Sequence, residues 1–119
     1  MPTPPHVPYY RLDTFTVPAA GRAEFLGRVA ATHAVLRAQP GFVRDAVLER
    51  PLAGPSEVDG SGADASVIAT LVEWESEQAA APVAAAVAAA HRAAGFDRAE
   101  MFARLGIRAD LAAYRPVVL

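Results

Sequence analysis

Prolines at positions 2, 4, 5 and 8 keep residues 1–8 as an extended, non-helical leader. From Tyr9 to Val17 the chain reads YYRLDTFTV, rich in aromatic and β-branched residues, and Pro18 ends the run; this predicts a strand. Ala20 to about Gln39 follows a helical period. With Phe25 at 0° and 100° per residue, Leu36, Val29, His33 and Leu26 fall at about 20°, 40°, 80° and 100°, with Glu24 and Arg28 on the far side. Pro40-Gly41 stops that helix. Phe42 to Pro51 reads as a second strand, and the Gly/Pro/Ser/Asp-rich stretch at 53–64 as a mobile loop that returns the chain. Ser66 to Trp74 is a third strand, with apolar residues on both parities, which predicts cover on both faces.

Beyond Trp74 the pattern turns helical again. Ser76 can N-cap a helix whose first turn carries Glu77 and Gln78, suited to the helix dipole. Pro82 demands a kink or restart as a first-turn residue, and Gly95 closes the segment. Asp97 and Glu100 form a capping pair for a short third helix to about Leu105, stopped by Gly106. Arg108 to Val118 is the last strand, with Pro116 at its edge or end.

The order β-α-β-β-α-(α)-β predicts an α+β, ferredoxin-like domain over residues 1–119, with a four-stranded antiparallel sheet and helices on one face. Two helices cover one face of a sheet. An apolar second face therefore calls for a second copy packed sheet against sheet, so a homodimer is expected.

Composition narrows the partners. Apolar residues make up 53% of the chain and charged ones 20%, a globular balance. The net charge of -2 with scattered arginines argues against nucleic acid or an anionic membrane surface. The longest apolar run, Ala79–Ala90, is too short and alanine-rich to span a bilayer. Cysteine is absent and the N-terminus has no export-signal pattern, which together fit a cytoplasmic protein.

Three stretches, in this order and spacing, carry a family likeness: FTVPAAGRAEFLGRV, LRAQPGFVRDAVLER and LVEWESEQA. From about Tyr9 to Tyr114 the chain resembles the antibiotic biosynthesis monooxygenase family, whose members form dimeric α+β barrels. The resemblance implies a pocket in each subunit between sheet and helices. It also implies a cofactor-independent monooxygenase acting on a polycyclic aromatic or quinol-type substrate, which reacts with dioxygen once deprotonated. Such a site needs a group to take a phenolic proton and an apolar, aromatic cavity around it.

His33, in the apolar stripe of the first helix, should face the sheet and could accept that proton. His91 lies at the edge of the corresponding stripe of the second helix; with Val83 at 0°, Val87 falls at about 40° and His91 at about 80°. These two histidines are the candidate catalytic residues, against the plain reading of half-buried structural histidines. Candidate ligand contacts are Trp74, Tyr10, Tyr114, Val83 and Val87, with Arg44 and Arg37 placed to neutralise an anion. For the tyrosines the plain reading is core or cross-strand packing, and for the arginines a solvated ion pair. The alanine run would leave room for a flat ligand. His6 has no assigned role. Three dispersed histidines without HxH or HExxH spacing offer no local metal site.

Two other function classes stay open. One is a haem-degrading relative, which would need an asparagine on the first strand, a tryptophan near position 83 and a late histidine. Only His91 could serve, since Val83 stands at the tryptophan position and asparagine occurs nowhere in the chain. The other is a non-catalytic dimeric binder or an isomerase-type relative. Trp74, between strand and helix, reads chiefly as the plug of the core.

Overall fold

The structure is a computed structural model that describes residues 7–51 and 65–119. The loop expected at 53–64, most of the leader, and His6 lie outside the described residues. The elements run β1 (Tyr9–Pro18), a 3-10 turn (Ala19–Gly21), α1 (Arg22–Arg37), β2 (Phe42–Pro51), β3 (Ala65–Trp74), α2 (Glu77–Ala80), α3 (Val83–Ala93), α4 (Arg98–Leu105) and β4 (Arg108–Tyr114). The four strands form one antiparallel sheet in the order β2-β3-β1-β4. This is the ferredoxin-like arrangement that the alternation of strand and helix patterns predicts.

The local signals act where the sequence places them. Ser76 accepts a hydrogen bond from the Ala79 N–H and Asp97 one from the Glu100 N–H, so two orphan donors of α2 and α4 are satisfied by N-caps. Pro82 breaks the alanine-rich segment into α2 and α3, standing at the cap of α3, one residue earlier than the expected first-turn position. Gly106 ends α4 in the left-handed conformation. The last strand is shorter than its sequence pattern: pairing stops at Tyr114, before Pro116.

Strand parity decides what each residue can do. On β3, Ser66, Ile68, Thr70, Val72 and Trp74 are buried under the helices, while Val67, Ala69 and Leu71 point to the opposite face and are half-buried. Two apolar clusters hold the layers together. One joins Phe15, Val17 and Ile68 to Phe25, Met101 and Ile107; the other joins Val72 and Trp74 to Val83, with Phe42 and Leu36 packed against it.

One irregularity has wide effects. A bulge in β2 between Phe42 and Arg44 adds a residue against β3, so that Phe42 opposes Trp74, Arg44 opposes Glu73 and Asp45 opposes Val72. Without it, Arg44 would share the helix-side face with Phe42. With it, Arg44 turns to the far face and Asp45 turns beneath α1.

At the other end of β2, Glu49 takes two hydrogen bonds from Arg22 (2.7 and 2.9 Å) and one from Ser66 (3.0 Å). The bonds from Arg22 and then Ser66 lower its carboxyl to about 2, well below the ordinary 4.5. A carboxyl whose folded pKa is depressed stabilises the fold above its unfolded pKa and loses that contribution as pH falls through the folded value. Melting temperature should therefore decline between about pH 4.5 and about pH 2. Glu49→Gln should flatten that decline; an unchanged acid limb would refute the assignment.

Candidate functional site

Between the sheet and α1, α3 and α4 lies a cavity of about 660 Å³. Its floor comes from the odd positions of β1 (Tyr9, Arg11, Asp13, Phe15) and the even positions of β3 (Thr70, Val72, Trp74). Residues 83, 84, 87, 88 and 91 of α3 form one wall, a helical face that alternates one and three residues and presents mainly methyl and isopropyl groups. His91 therefore sits near the middle of the exposed face rather than at its edge, because the helix is rolled toward Ala84 and Ala88.

Both expected histidines reach this cavity. His33 is 5% exposed, and its Nδ1 lies 2.8 Å from Oδ2 of Asp45, which also accepts a 2.9 Å hydrogen bond from Nε of Arg37. Burial pushes the Asp45 carboxyl up, but the hydrogen bonds from His33 and Arg37, with the charges behind them, outweigh this and hold it below its ordinary value. An ionised carboxylate only accepts hydrogen bonds, so Nδ1 of His33 must be the donor. In the neutral ring this leaves Nε2 as the proton acceptor. Nε2 has no hydrogen-bond partner among the described residues, and His33 lines the cavity.

His91 is held differently. Its Nε2 lies 3.2 Å from the hydroxyl of Thr32, and its ring meets Phe96 edge to face at 4.9 Å. Burial, followed by the positive charges of Arg28 and Arg98, pulls the imidazole below its ordinary value of 6.5. It is thus a neutral, hydrogen-bonded ring at physiological pH.

Of the proposed ligand contacts, Trp74, Val83 and Val87 line the cavity, and Tyr10, Tyr114 and Arg44 do not. The two tyrosines occupy even-parity positions paired with one another across β1 and β4, on the face turned away from the helices. Arg44 is turned to the same far face by the bulge and bonds Glu73 at 2.6 Å. Arg37, expected near an anion, bonds the protein's own Asp45 instead. Sequence periodicity misses Asp45, because the bulge is invisible to parity counting. It also places Arg28 on the far side of α1, whereas Arg28 lines the cavity with its guanidinium carbon 3.9 Å from the centre of the Phe96 ring. At about 60° from Phe25 it was always near the stripe; Phe96, arriving from beyond α3, gives it a surface to lie on.

Among the described residues, no three histidine, aspartate or glutamate side chains come together as a metal-ligand set. No helix there is long and apolar enough to cross a membrane.

No protein-family model matches the chain, and no curated protein matches it. Solved structures do. A candidate monooxygenase from Shewanella loihica PV-4 superposes with a TM-score of 0.59 at 18% identity, over 96% of this chain and 98% of that one. The chain has that ferredoxin-like fold. A candidate antibiotic biosynthesis monooxygenase from Bacillus cereus matches at TM-score 0.57 and 16% identity, over 95% of this chain and 96% of that one. A Nitrosomonas europaea protein of unknown function matches at 0.55 and 15%, over 96% and 94%. Structural neighbours of the ferredoxin-like chain thus include a candidate antibiotic biosynthesis monooxygenase, as the three sequence stretches led one to expect, and a protein with no assigned role.

Proposed function

We propose that the cavity binds an aromatic phenol or quinol-type compound and that the chain is a cofactor-independent monooxygenase. The observation that carries this reading is the buried His33–Asp45 pair, which presents an imidazole fixed as a proton acceptor in a largely apolar cavity. His33 takes the acidic proton, and Asp45 stabilises the imidazolium that results. The resonance-stabilised carbanion left on the substrate reacts with dioxygen to form a carbon–oxygen bond. The hydroperoxide then loses water, so that an anthrone plus one dioxygen gives a quinone plus one water. The cavity contributes by keeping the anion from bulk water and by holding the ring system against Trp74 and the α3 wall.

The test is oxygen uptake with anthrone and naphthoquinol substrates, coupled to quinone absorbance. One dioxygen consumed per quinone formed is the expected result. Binding without oxygen uptake across such a panel would reject catalysis and leave a small-molecule binder.

We further propose that two copies associate through the far face of the sheet. Leu12, Ala46, Leu48, Ala69, Leu71 and Ala112 make an apolar stripe there, and Leu48 is 56% exposed. Arg44, Glu73, Tyr10 and Tyr114 form a polar row at one end, and Arg50, Thr16 and Arg108 lie at the other, as in a self-complementary patch with a wetter rim. Light scattering at micromolar concentration should give twice the 12.5 kDa chain mass. Leu71→Asp should return it to the monomer value; a monomeric parent would remove the proposal.

A further inference from the structure

The walls of the cavity are not electrically balanced. Asp13 is engaged by Arg11 at 3.1 Å and by the Ala112 N–H, and Glu77 by Arg115 at 2.8 Å. The ion pairs among the described residues use Arg11, Arg22, Arg37, Arg44, Arg104 and Arg115. Arg28 and Arg98, which both line the cavity, have no carboxylate partner in that set. Arg28 is further marked by its Nε, a buried donor with no hydrogen-bond partner. A buried N–H left unmade is costly, and more so on a charged group. Stacking on Phe96 fixes where this guanidinium lies, and Arg98 is held near the Phe102 ring at 5.8 Å. Two cations thus stand at the Phe96 end of a cavity whose carboxylates are already taken.

We propose that the Arg28–Arg98 end is a subsite for a carboxylate borne on the aromatic ligand, so that the ligand is a fused-ring aromatic acid rather than a neutral aromatic. A carboxylate there completes the unmade donor of Arg28 and meets a guanidinium pre-positioned on an aromatic face. The depressed titration of His91 reports the same positive field, since Arg28 and Arg98 both contribute to it. The position also sets ligand length. Arg28 and His33 lie five residues apart on α1, about 7.5 Å along its axis. An acid group at Arg28 and an acidic hydroxyl or methylene at His33 therefore sit at opposite ends of a two- or three-ring system. The inference rests on the cavity being the ligand site but not on its chemistry.

The test uses matched pairs: 2-naphthoate with 2-naphthamide, and the 2-carboxylate with the 2-carboxamide of anthracene and of anthraquinone. Trp74, the chain's single tryptophan and part of the cavity wall, reports binding by fluorescence. In the parent protein the carboxylate of at least one pair should bind roughly tenfold or more tightly than its carboxamide. Added salt should narrow that ratio. Arg28→Met should bring it to within about twofold, Arg28→Lys should keep part of it, and Arg98→Met should reduce it. In Arg28→Met the His91 proton titration followed by NMR should also move upward while the dispersed spectrum and the melting temperature remain those of a folded chain, since unfolding would itself raise a titration depressed first by burial. Equal affinities within every pair, no carboxylate binding at all, or a ratio that survives Arg28→Met would each overturn the subsite. Oxygen uptake with anthrone and an anthrone carboxylic acid, which both carry the acidic methylene, separates the two readings: an anthrone acid that binds tightly and is not oxidised sinks the oxygenase, whereas anthrone oxidised as fast as its acid sinks only the subsite.

Discussion

Replacing Asp45 by asparagine should lower the rate of oxygen consumption by about 10²–10⁴-fold, with a much smaller change in KM, because a positioned general base contributes on that scale. The carboxylate does two things that an amide does not. It fixes Nδ1 of His33 as the hydrogen-bond donor, so that Nε2 carries the lone pair, and its negative charge stabilises the imidazolium as it forms. An asparagine can offer its NH₂ to the ring and impose the opposite tautomer. His33→Gln should lose at least as much, and the double replacement should cost little more than either single change, because the pair acts as a unit. The alternative, that the pair is only a structural link between α1 and β2, predicts a loss of stability and no selective loss of kcat. Removing the hydrogen bond should cost about 1–3 kcal/mol in either case, so Tm must be measured beside the kinetics. Activity of Asp45→Asn within tenfold of the parent would exclude His33 as the base.

Trp74→Ala should be the most destabilising single change in the described residues. The indole is 2% exposed, meets Phe42 edge to face at 5.9 Å and packs with Val72 and Val83, so the change removes a large apolar surface and widens an existing cavity. A loss of about 3–5 kcal/mol is expected, a drop in Tm of roughly 10–20 °C for a chain of this length. Trp74→Phe should recover more than half of it. Trp74→Ala should also weaken aromatic ligands, whereas Phe42→Leu, beside it but outside the cavity lining, should affect stability and spare affinity. A drop of under 5 °C in Trp74→Ala would show that the ring is a ligand platform and not a core plug.

The extent to which the site is legible in the sequence follows from which signals are local. Helix caps at Ser76 and Asp97, the break at Pro82 and the parity of β1 and β3 are written within a few residues, and the structure follows them. His33 is also legible, since its helical phase alone turns it toward the sheet. Asp45 is not, because its orientation depends on a bulge two residues upstream, and Arg44 is misplaced by the same event. Arg28 is hidden for another reason. Its charge argues for solvent although its phase lies only about 60° from Phe25, and only the long-range arrival of Phe96 and His91 makes the inner side of α1 a place for a guanidinium. Local rules thus recover the frame and one half of the His33–Asp45 pair, while the other half and the cationic end depend on tertiary contacts.

The alanine-rich face of α3 has a bearing on how such a protein diversifies. The groups proposed to handle a proton, His33 and Asp45, sit on α1 and β2, whereas Ala84 and Ala88 stand on a separate helix. A larger residue at 84 or 88 would shorten the space open to a ring system without disturbing the imidazole or its carboxylate. Because those positions are exposed to the cavity rather than jammed in the core, such changes should be mild for folding. Under the proposed reading, ligand size and reactivity can then drift independently, so that a lineage on this frame could change what its cavity admits one methyl group at a time.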